Sequence, residues 1–86
     1  MSVSNTSLSS VLERFPDHED TIKRLFRGSE PFQTLCEDRR KCTEAQRYWC
    51  RSDAEEAEAR TDEYTALLLD LETEILQNLN EWNAQR

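Results

Sequence analysis

Along this chain apolar residues return every three or four positions, and only a few residues interrupt the rhythm. Leu8, Val11, Leu12 and Phe15 stand at i, i+3, i+4 and i+7, the stripe of one short amphipathic helix. Pro16 closes that stripe. Proline also suits a first helical turn, and Asp17, Glu19 and Asp20 suit the positive end of a helix dipole, so a second helix is expected with Ile22, Leu25 and Phe26 on its buried side. Gly28 should end it by taking a positive φ, after which Ser29 as N-cap and Pro31 in the first turn open a third helix over about 30–50. Its 3-4 spaced positions are Phe32, Leu35, Arg39, Cys42, Gln46 and Trp49. Residues 1–6 are small and polar and are expected to fray.

A second long stripe follows. Ser52 and Glu55 form an S-x-x-E pattern, the signature of a capping box and hence of a turn near 51–53. From there Ala54, Ala57, Thr61, Tyr64, Leu68, Leu71, Ile75, Asn78 and Trp82 keep a 3-4 spacing over about 53–82. The expected architecture is therefore all-α. One or two short N-terminal helices pack on a long antiparallel hairpin, and residues 1–86 form a single helical domain. A tight turn at Ser52 would set Trp49 against Ala54 and Ala57, bring Arg39 near Tyr64, and place Phe32 and Leu35 against Leu68 and Leu71.

Composition agrees with helix, for the 86 residues include one glycine and two prolines, too few to punctuate a sheet. A chain this short buries only about 60 to 65% of its unfolded surface, so its core must be thin. Charge adds a second pattern. Residues 1–51 carry nine Lys/Arg and eight Asp/Glu, whereas residues 52–86 carry two and ten, so the halves of this −7 chain have opposite signs. The basic flank Arg39, Arg40, Lys41, Arg47 and Arg51 is expected to lie beside the acids of the fourth helix's first turns, choosing the partner helix more than stabilising it.

The acidic balance disfavours a nucleic-acid backbone or an anionic membrane as main partner. The one basic cluster with aromatic neighbours, Arg39 to Lys41 with Tyr48 and Trp49, is diluted by Glu37, Asp38 and Glu44, so nucleic-acid binding is only a second alternative. No apolar run is long enough to span a bilayer and no secretory leader is evident, which points to a soluble, cytoplasmic protein. Three cysteines, an odd number, fit a reducing compartment. Cys36, Cys42 and Cys50 carry the alternative reading, a thiol-based redox or metal-responsive protein. On one helix, however, no two of them can bond, and zinc would want closely paired ligands that the single histidine, His18, does not complete. His18 reads as a surface or capping residue. Glu55, Glu56, Glu58, Asp62 and Glu63 read as a solvated face, and none of the common catalytic motifs occurs. The expectation is no enzyme, no cofactor, no metal and no small-molecule substrate.

What remains is excess apolar surface. Leu67, Leu71, Ile75, Leu76, Leu79 and Trp82 make a stripe wider than one hairpin seam requires, to be covered by the N-terminal helices or by another protein. The expected function is a non-enzymatic acidic helical module, an adaptor or regulator that forms a homodimer or docks on a protein through that stripe. Asn78 is the kind of polar seam residue that fixes register.

The order "FPDHEDTIKRL" then "PFQTLCEDRRKC" resembles the YdcH-like small bacterial proteins, a family of short helical hairpins of unknown function. Phe15, Pro16, His18, Ile22, Leu25, Phe32 and Leu35 carry the resemblance, which spans about residues 15–49. It implies a helical hairpin and a bacterial cytosolic setting, and brings no activity and no site residues. The acidic second arm departs from the lysine-rich arm usual in such proteins.

Overall fold

A computed structural model describes residues 3–85, with side chains from Ser7 onward. Four α-helices follow one another, α1 (Val3–Arg14), α2 (Glu19–Gly28), α3 (Glu30–Arg51) and α4 (Ala57–Ala84), with a 3-10 turn at Pro16–His18. The all-α hairpin read from the sequence is present. The long α3 and α4 pack antiparallel, and the two short N-terminal helices pack on them. Fraying was expected over residues 1–6, but the helix already runs from Val3; Met1, Ser2 and the side chains of 3–6 lie outside the described residues.

Each break has a local cause. The ring of Pro16 offers no N–H to α1, so Phe15 leaves the helical conformation, at φ −127° and ψ 66°, and its side chain drops into the core. The junction of α2 and α3 is a single residue. Ser29 is extended, at φ −137° and ψ 111°, donates its N–H to the Leu25 carbonyl, and accepts the Phe32 N–H on its hydroxyl at 3.2 Å. Gly28 was expected to take a positive φ and does not, because the extended serine makes the reversal instead.

The core lies where the N-terminal helices meet the open end of the hairpin. Val11, Phe15, Ile22, Leu25, Phe26, Phe32, Cys36, Ile75 and Leu79 form one buried cluster, with Leu8, Leu12, Leu35 and Trp82 packed on its edge. Towards the turn the hairpin runs on without further cover.

The hairpin register differs from the expected one. Ser52 caps the end of α3 through its N–H to the Trp49 carbonyl, while its hydroxyl accepts from Ala54 N–H, so the capping box is not formed. The connector extends through Glu56 and α4 starts at Ala57. Two long helices lying side by side need a few residues to span the gap between their axes, which one extended serine does not supply. Arg39 consequently faces Glu72 rather than Tyr64, and Gln46 faces Thr65, a slide of about two turns. Trp49 and Ala57 still line one shallow hollow beneath the turn.

Candidate docking face on the hairpin

The side of the hairpin that carries α1 and α2 is closed by polar contacts as well as by the core. Arg39 is buried, and its Nε and Nη2 both donate to Glu72 Oε2, at 3.0 and 2.9 Å. Its Nη1 donates to Ser10 Oγ at 2.9 Å, and Arg14 Nε reaches the same Glu72 oxygen at 3.1 Å. Three helices are thus tied at one carboxylate. Arg40 Nε donates to Ser7 Oγ, and nearer the chain ends Thr21 Oγ1 donates to Asn83 Oδ1.

This arrangement corrects the expected charge pairing. Among the described residues, Arg39 alone of the basic flank of α3 forms an ion pair with α4, and it meets mid-helix Glu72 rather than the acids of the first turns. Arg40 pairs within its own helix with Glu44, as Arg60 does with Glu63. Lys41, Arg47 and Arg51 form no ion pair among the described residues. The two-turn slide is the cause, together with the outward direction of these side chains.

The opposite side of the hairpin has no such cover. On α3, Leu35, Cys42 and Trp49 recur every seven residues, and on α4 Tyr64, Leu71 and Asn78 do the same, each row drifting only about 20° per step; the first of them, Leu35, still packs on the edge of the core. Trp49 lies about 180° around α3 from Arg40, which meets α1 through Ser7. All six row residues are half-buried, and Leu67 is 47% exposed beside them. Leu67 lies one helical turn from both Tyr64 and Leu71 on α4.

The structure divides the leucine stripe singled out in the sequence. Ile75 and Leu79 are fully buried beneath the N-terminal helices, and Trp82 packs on the same core with its indole N–H buried and unpartnered. Leu71 and Leu67 belong to the uncovered side. Leu76 is exposed on another side of α4, two turns from the exposed Leu69. Four residues of the uncovered strip were not singled out for docking: Leu35, Cys42, Trp49 and Tyr64. Their heptad spacing was visible, but without the register they could not be separated from the residues that close the hairpin.

The thiols do not converge. Cys36 is buried, and loss of solvent pushes its pKa up to about 12 against a smaller opposing pull from the Arg39 guanidinium. Partial burial and the nearby Asp38 carboxylate also raise Cys42, whereas Cys50 is exposed near the turn. Among the described residues no group of three or more His, Cys, Asp or Glu is placed to hold a metal ion. No described helix is long and apolar enough to cross a membrane. No family model, no curated protein and no solved structure matches the chain.

Proposed function

We propose that this chain is a non-enzymatic interaction module, a small acidic adaptor or regulator that holds a protein on the uncovered face of its hairpin. One observation carries the reading: Leu67 is 47% exposed on α4 between Tyr64 and Leu71, which keep part of their surface in solvent, while Ile75 and Leu79 of the same helix are fully buried. A thin helical domain closes only as much apolar surface as its short helices can reach, and the rest is energetically available to a partner helix. The likeness of residues 15–49 to short bacterial hairpins supports the same architecture and supplies no activity.

A photoreactive amino acid at Leu67, with a second at exposed Arg24 on α2 as control, tests this in the cells that make the protein. Protein adducts are expected at Leu67 and not at Arg24. An unmodified chain at both positions, after full photolysis, removes the docking reading.

A further inference from the structure

We infer that α1 is a strap: it leaves the hairpin and returns on its own while α2, α3 and α4 stay packed, and its departure bares the side of α3 that carries Cys36. By its own sequence α1 is a weak helix. Two Val, four Ser, one Asn and one Thr make up eight of its 12 residues, all of them modest helix formers, and its first turn carries no acid to meet the helix dipole. A helix of this length and composition does not hold in water by itself, so packing keeps it folded. That packing is thin.

Among the described side chains of α1, Ser7 and Val11 are buried, and Leu8 and Leu12 lie on the edge of the core. The shorter α2 buries Thr21, Ile22, Leu25 and Phe26, and its Thr21 hydroxyl is bonded to Asn83 of α4. Most of the buried cluster, Ile22, Phe26, Phe32, Ile75 and Leu79 included, therefore comes from the other three helices and persists without α1. The break at Phe15 and Pro16 interrupts the backbone ladder between α1 and α2, so unwinding of α1 stops there.

The polar ties let α1 go without stranding a charge. Arg39 gives α1 one bond, from Nη1 to Ser10 Oγ, and keeps Nε and Nη2 on Glu72 of α4. Arg40 gives Nε to Ser7 and keeps Nη1 on Glu44 within α3. The third tie, Arg14 to Glu72, starts from a side chain that is already exposed. Opening therefore exchanges hydroxyl bonds for water and leaves both α3 guanidiniums paired. Because Ser7 meets Arg40 and Ser10 meets Arg39, numbers fall along α3 as they rise along α1. Val11, one turn beyond Ser7, and Cys36, one turn before Arg40, share the next level of that contact, and both are fully buried. With α1 away, the Cys36 thiol meets solvent.

Hydrogen exchange of the intact chain in a series of low urea concentrations, with iodoacetamide alkylation of each thiol followed by peptide mapping, tests the strap. The Val11 and Leu12 amides are expected to exchange through an opening about tenfold or more as populated as the one that frees the Ile75 amide, and with roughly half or less of its urea dependence, because the strap uncovers little surface. Alkylation of Cys36 should follow the α1 dependence. Leu79→Val, a small cut in the core shared by α2, α3 and α4, should speed Ile75 exchange about tenfold and leave Val11 exchange and Cys36 alkylation unchanged. Val11 and Ile75 amides that share one population and one urea dependence overturn the inference. So does a Cys36 that reacts only along the steep dependence of Ile75, or a Leu79→Val chain in which all three readouts rise together.

Discussion

The two sides of the hairpin use the same kinds of residue at the same spacing and end in different states. On one side Phe32, Cys36, Ile75 and Leu79 are fully enclosed by α1 and α2, and even the charged pair Arg39–Glu72 is drawn largely out of water. On the other, Cys42, Trp49, Tyr64 and Leu71 keep part of their surface in solvent and Leu67 is 47% exposed. Helical periodicity states that a face wants cover; it does not state which cover arrives. The N-terminal helices are long enough for one side only.

The sharpest test of that contrast is the same truncation on each side. Leu79→Ala should cost about 3 to 5 kcal/mol, the usual range for a leucine removed from an enclosed site, whereas Leu71→Ala should cost about 1 kcal/mol when the chain is dilute enough to stand alone. Chemical denaturation at submicromolar protein reads both; equal losses would mean that the sides do not differ as described. Next in size, Glu72→Ala should destabilise by about 3 kcal/mol because it strands the buried Arg39 guanidinium, yet joining it with Arg39→Met should recover most of the loss. Non-recovery in that pair would show that the ion pair holds α1 in place by more than mutual neutralisation.

A smaller effect concerns alkaline pH. Folded Cys36 keeps its proton to about 12, while the unfolded thiol releases its own near 9.0. The folded chain therefore binds more protons between those limits, and stability from this group is present below about pH 9 and lost as pH rises through the window. Tyrosines and lysines titrate there too, so the measurement is the difference in slope between the unaltered protein and Cys36→Ala. Superimposable slopes above pH 9 would place Cys36 in contact with water.

Most of the architecture is legible in the sequence because helix stops are local chemistry. Pro16 and Ser29 act on the backbone within one turn of themselves, and their helices end or begin where expected. The hairpin register is not local. Ser52 and Glu55 have the spacing of a capping box, but the gap between two adjacent long helices had to be bridged, and the connector took residues that the pattern assigned to α4. That slide moved Arg39 from Tyr64 to Glu72, and with it the expected charge pairing failed. The leucine stripe suffered the same way. Leu67 and Leu71 were identifiable from leucine excess alone, whereas Ile75 and Leu79 could be assigned to the interior only once the position of α1 and α2 was known.

Ser29 and the Ser52–Glu56 connector are opposite kinds of joint. At Ser29 one amino acid terminates a helix, starts the next and satisfies backbone groups of both, so no slack exists between α2 and α3. Inserting a single residue there would turn the whole of α3 by about 100° relative to α2 and swing Phe32 out from beneath it. The connector is the place where evolution can add or remove length without disturbing the interior, since its Asp53 to Glu56 side chains are all exposed. Variation in chain length among proteins sharing this design should therefore collect at the tip of the hairpin and spare the elbow.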